Sequence, residues 1–74
     1  MTDTYANYLR DLGQLVREQG LEAKRAAASG DAFERGRVFA FHEVLSLMQQ
    51  QARAFNLPLA DLSLDGFDAD RDLL

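Results

Sequence analysis

The stretch DAFERGRVFAFHEVLSLMQQQARAF, residues 31–55, decides the fold. Its periodicity predicts one long helix with two apolar stripes, where a simple surface helix has one. Val38, Phe41, Leu45, Met48, Ala52 and Phe55 follow one another at steps of three and four. Phe33, Gly36, Ala40, Val44, Leu47, Gln51 and Ala54 form a second series. The two lie one residue out of phase, or about 100° apart around the helix axis. One partner helix covers one stripe, so two stripes call for neighbours on two sides. The sequence offers only one other long helix. The second neighbour must come from the C-terminal segment or from another copy of the chain.

Upstream, Tyr5, Tyr8, Leu9, Leu12, Leu15 and Val16 repeat at helical spacing from a start at Thr2 or Asp3, either of which can cap the first turn. The stripe then continues in small residues, Gly20, Ala23, Ala26 and Ala27, while Leu21 falls off it. Gly20 costs about 1 kcal/mol against alanine inside a helix, which suits a kink or a close approach and equally a glycine simply tolerated in a long helix. Ser29-Gly30 reads as the turn, with Gly30 in the left-handed conformation. Asp31 caps the next helix, and Glu34 completes a capping-box pattern. A loop this short makes the helices antiparallel neighbours. The expected register sets Ala27 near Phe33, Gly20 near Ala40, Val16 near Val44, Leu12 near Met48 and Tyr5 near Phe55.

Asn56 suits a left-handed helix end, and Pro58 holds Leu57 extended. Pro58 can also open a short helical turn over residues 59–62, and Asp65-Gly66 reads as a turn. Residues 1–56 therefore form a hairpin with helices at about 3–28 and 31–55, and residues 57–74 form a tail. Leu57, Leu59, Leu62, Leu64 and Phe67 are apolar enough to pack on the hairpin, leaving residues 68–74 as a solvated acidic end.

At 74 residues with no cysteine, the chain has one small domain and no disulfide staple, so oligomerisation is the usual remaining route to stability. The 47% hydrophobic content is too high for a disordered chain. Tail aspartates 61, 65, 68, 70 and 72 against Arg71 account for the net charge of −4, and the rest balances. An acidic chain without a basic face is a poor ligand for phosphate backbones, so no direct nucleic-acid partner is expected. No apolar run reaches the roughly 20 residues that cross a bilayer, and MTDTYANYLRDL lacks the pattern of a signal peptide. A cytoplasmic location without membrane partners is the expectation.

Sites are sparse. His42 shares a polar side with Arg35, Ser46, Gln49 and Arg53, and no spacing supplies it with a catalytic partner. Asp68, Asp70 and Asp72 resemble the opening of a calcium loop, but Leu73 stands where glycine is needed and no glutamate follows. Gly36-x-x-x-Ala40 reads as ordinary close packing, and Arg35 and Arg37 with Lys24 and Arg25 as solvated charges near Glu22 and Glu34. Phe39 follows neither stripe, and cover by another chain or by the tail is the expected reading over an exposed anchor. The expected oligomer interface is Val38, Phe39, Phe41, Leu45, Met48 and Ala52; Phe67, Asp68, Asp70 and Asp72 are candidates for binding a partner.

FERGRVFAFHEVLSLMQQQARAF together with LSLDGFDADRDLL resembles small uncharacterised helical-hairpin proteins of bacteria and their phages. The resemblance covers the second helix and tail, carries no activity to any residue, and favours a stand-alone small protein over an enzyme fragment. The sequence thus predicts an all-α antiparallel hairpin assembling as a homo-oligomer into a four-helix arrangement. The expected function is a protein–protein interaction module, an adaptor or regulator without catalysis or cofactor, whose partner is itself and an unidentified protein. The alternative is an acidic inhibitor or nucleic-acid mimic acting through the tail.

Overall fold

The computed structural model describes residues 3–74. Its elements are α1 (Thr4–Ala27), α2 (Ala32–Ala54), a 3₁₀ turn (Leu59–Leu62) and α3 (Ala69–Leu73), with no strand among the described residues. The two long helices pack against each other as an antiparallel hairpin, and the tail returns along one side of it.

The helix ends follow the chain's local chemistry. Gly30 takes φ +87 at the turn. The Asp31 carboxylate accepts from the backbone N–H groups of Phe33 (2.8 Å) and Glu34 (3.4 Å). Only this half of the expected capping box forms, because the Glu34 carboxylate pairs with Arg37 Nη1 at 2.7 Å. At the other end of α2, Asn56 adopts φ +57. Its N–H donates to Arg53 O (3.1 Å) and that of Leu57 to Ala52 O (2.8 Å), closing the helix with the paired bonds that a left-handed residue permits. Asp3 stands at the N-cap of α1 without a side-chain capping bond, and Thr2 lies outside the described residues.

The structure reverses the expected roles of the two stripes within the chain. Val38, Leu45 and Ala52 are buried with Phe41 and Met48 packed beside them, although Phe55 at the end of that series is exposed; of the other series, Phe33, Ala40, Val44 and Leu47 are exposed. Gly20 accordingly does not face Ala40. A Cβ on Gly20 would lie 3.1 Å from Leu45 Cδ1, 3.4 Å from Phe41 Cβ and 3.6 Å from Leu73 Cδ1. Three elements therefore meet at one missing side chain. Both stripes satisfy helical periodicity equally well; the Val38 series goes inward because it meets α1 and the tail together. Leu21, expected off the packed stripe, is half-buried against this core.

The tail is more thoroughly docked than its charge suggests. Leu62, Leu64 and Phe67 are buried, and so are Ala69 and Leu73 in the segment expected to be a solvated end. Leu57, expected to pack, is exposed. The crossing over α1 is close: a Cβ on Gly13 would sit 1.8 Å from the backbone oxygen of Leu62. Only glycine admits the tail there. Non-helical carbonyls of the tail find side-chain donors on the hairpin, as buried backbone requires. Arg17 Nη1 donates to Ser63 O (3.0 Å) and Asp65 O (3.1 Å), and its guanidinium lies 5.2 Å from the Phe67 ring centre. Buried Gln49 donates through Nε2 to Phe67 O at 2.9 Å.

Candidate functional site

Docking the tail on one side of the hairpin leaves the other side uncovered. On α1 that side displays Tyr5, Tyr8, Leu12 and Leu15; on α2 it displays Val44, Leu47 and Phe55. Helical spacing explains the set, since each series repeats every three or four residues and lies about 100° round from a buried one. The exposures are large: Tyr5 79%, Tyr8 66%, Leu47 59% and Phe55 70%. Scattered exposed leucines need no explanation, but an apolar surface running across two neighbouring helices is the mark of an interaction site. The apolar residues crowd the open end of the hairpin. Toward the turn the same rows continue as Gln19, Glu22 and Ala26 on α1 and as Ala40 on α2, with Phe33 alone as a large exposed side chain beyond them.

The residues expected to make the oligomer interface are placed differently. Val38, Leu45 and Ala52 lie in the interior of a single chain, and Phe41 and Met48 are half-buried beside them. Phe39 is 59% exposed and covered by neither α1 nor the tail. It borders a shallow apolar hollow of about 510 Å³ with Val38, Leu73 and Leu74, rimmed by Lys24 and Arg35. Lys24 Nζ is already engaged by Leu73 O at 3.1 Å. Gly36 and Ala40 are open to solvent rather than closely packed.

The candidate partner-binding residues of the tail serve the chain itself. Phe67 is buried. Asp68 caps α3, accepting from the N–H groups of Asp70 (2.9 Å) and Arg71 (3.0 Å). Asp72 Oδ2 reaches back to the Asp68 N–H at 2.9 Å, and both of its oxygens accept from Arg71. The Arg71 hydrogen bonds, followed by the one from the Asp68 N–H, draw the Asp72 pKa down to about 2. Asp70 Oδ1 meets His42 Nε2 at 2.6 Å.

This last contact joins residues 28 positions apart, and no spacing along the polar side of α2 announces it. The pair borders a polar cleft of about 470 Å³ between α2 and the tail, shared with Ser46, Gln50 and Arg53. Ser46 Oγ lies 3.5 Å from the same Nε2. A nitrogen that donates its proton to Asp70 has no lone pair left for the serine. The three are therefore not arranged as a nucleophile, base and orienting acid, which use opposite nitrogens of the ring. The pair ties α3 to α2.

The chain matches no family model, no curated protein and no solved structure. Among the described residues, no helix is long and apolar enough to cross a membrane, and no group of three histidine, cysteine or carboxylate side chains is placed to hold a metal ion.

Proposed function

We propose that this protein is a small non-catalytic interaction module that works as a homo-oligomer, with the uncovered face of its hairpin as the association surface. The observation that carries the reading is the apolar surface of Tyr5, Tyr8, Leu12, Leu15, Val44, Leu47 and Phe55, open on the side opposite the docked tail. Association through it completes a four-helix arrangement and meets the need of a short, disulfide-free chain for a second layer. His42, the one imidazole of the chain, is used to hold α3 against α2 through Asp70. Action through an acidic tail gains no support, because Asp68, Asp70 and Asp72 are held by partners within the chain.

Light scattering tests the proposal. The wild-type chain is expected to show at least twice its 8.3 kDa mass at micromolar concentration. Leu12→Glu with Leu47→Glu should give a folded monomer with unchanged helix content. A wild-type monomer at that concentration would refute self-association, and loss of helix in the double variant would mean that these side chains serve the fold.

A further inference from the structure

The uncovered face is asymmetric along its length, and the asymmetry bears on how two copies meet. We infer that the second copy docks with the same end aligned, about a two-fold axis parallel to the hairpin, so that α1 of each copy lies over α2 of the other. The inference rests on the self-association proposed above and goes beyond it by naming the occupant's orientation.

Area favours a second copy as occupant. Taking about 150–250 Å² for a whole aromatic side chain and the fractional exposures of the seven residues, the face presents on the order of 700 Å² of apolar surface. A stable interface of standard size buries about 800 Å² per partner. Charge is sparse on the face: the seven side chains are uncharged, and the acid set among them is Asp11, one turn from Tyr8 and from Leu15 and exposed.

Position along the helices decides the orientation. Residues of the two antiparallel helices that stand at one level have numbers summing to about 60, as the contact of Gly20 with Phe41 shows. With the same ends aligned, Tyr5 lies over Phe55 of the second copy, Leu12 over Leu47 and Leu15 over Val44. The apolar half covers the apolar half. Glu22, which makes no ion pair among the described residues, comes level with Arg37 of the second copy. Turning one copy end for end instead stacks α1 on α1. At full overlap Leu12 then lies over Gln19 and Tyr8 beside Glu22, which covers apolar surface with polar.

The chain has no cysteine, so introduced thiols report contacts without background. Helices in contact lie about 8–10 Å apart and diagonal ones further, while a disulfide needs Cα atoms within about 4.4–6.8 Å. Adjacent helices can approach to this distance at a few positions; diagonal ones cannot. Full-length Leu12→Cys and Leu47→Cys chains, and separately Leu15→Cys and Val44→Cys chains, are mixed and mildly oxidised, with circular dichroism as the check on folding. Covalent dimers joining unlike chains in either mixture, with none from Leu12→Cys or Leu15→Cys alone, are expected. Dimers of Leu12→Cys or Leu15→Cys alone would overturn the orientation and leave self-association standing. Folded chains that cross-link in no combination and sediment as monomers would overturn both; flotation of that monomer with neutral lipid vesicles would then assign the face to a lipid surface.

Discussion

The two faces of the hairpin are built from the same helices and differ in what their small residues allow. On the tail side, Gly13, Gly20 and Ala23 hollow out α1, and backbone and side chains of residues 59–73 sink into the hollow. On the opposite side the positions are filled by Tyr5, Tyr8, Leu12 and Leu15, which stand proud of the surface. Polar side chains sharpen the contrast. Arg17 and Gln49 grip tail carbonyls on the covered side, and Ser63 Oγ donates back to Arg10 O at 2.9 Å. Glycine and donors bonded to tail carbonyls mark a groove for the chain's own backbone; bulky, largely apolar side chains that stand exposed mark a surface for something from outside. Apolarity alone does not separate the two.

Four measurements bear on this contrast, and the largest effect is expected from a matched pair on α2. Leu45 is fully buried and Leu47 is 59% exposed. In urea unfolding at a concentration that keeps the chain monomeric, Leu45→Ala should cost about 2–5 kcal/mol, and Leu47→Ala less than about 0.5 kcal/mol. Equal costs would erase the difference between the faces.

Next is Gly13→Ala. Its Cβ would collide with the Leu62 carbonyl, a backbone atom that cannot swing aside. The cost should lie near the top of the overpacking range of about 1–3 kcal/mol, with faster hydrogen exchange at Leu62 and Leu64 than in the hairpin. A wild-type melting temperature would show that the tail does not cross α1 at this glycine.

Gln49→Ala comes third. It strips Phe67 O of its donor, and an unsatisfied buried group costs about 1–3 kcal/mol. Exchange of the α3 amides should quicken while that of central α1 stays slow; uniform quickening would mean that hairpin and tail open as one unit.

The smallest effect is expected in acid. The pKa of Asp72 is lowered to about 2 in the folded chain, from 3.8 ordinarily. A lowered carboxylate pKa contributes stability above the ordinary value and loses it as pH falls through the folded one. The contribution of Asp72 should therefore be intact above about pH 5 and disappear between pH 3.8 and about 2, an interval that Asp72→Asn should flatten. A variant with the same acid slope as wild type would show that this end of the tail is not held by Asp72.

Local signals carried much of the fold. Gly30, Asp31, Asn56 and Gly66 have conformations or bonds that their types announce within a few residues. The choice between the Val38 and Val44 stripes was not local. Both have the right period, and the choice depends on a third layer, the tail, whose aspartates suggested solvent while Ala69 and Leu73 held it down. Gly13 offered a usable signal, since it falls seven residues before Gly20 on the same face of α1. The His42–Asp70 contact offered none, because it depends on where α3 docks.

Hydroxyl-radical footprinting over a dilution series tests both faces in one measurement. At high concentration Tyr5, Tyr8 and Phe55 should be protected by the second copy, and on dilution they should become reactive together. Phe67, covered by its own chain, should stay protected at every concentration. If Tyr5, Tyr8 and Phe55 react equally throughout, or if Phe67 becomes reactive with them, the division into one face closed by the tail and one closed by a second copy is contradicted.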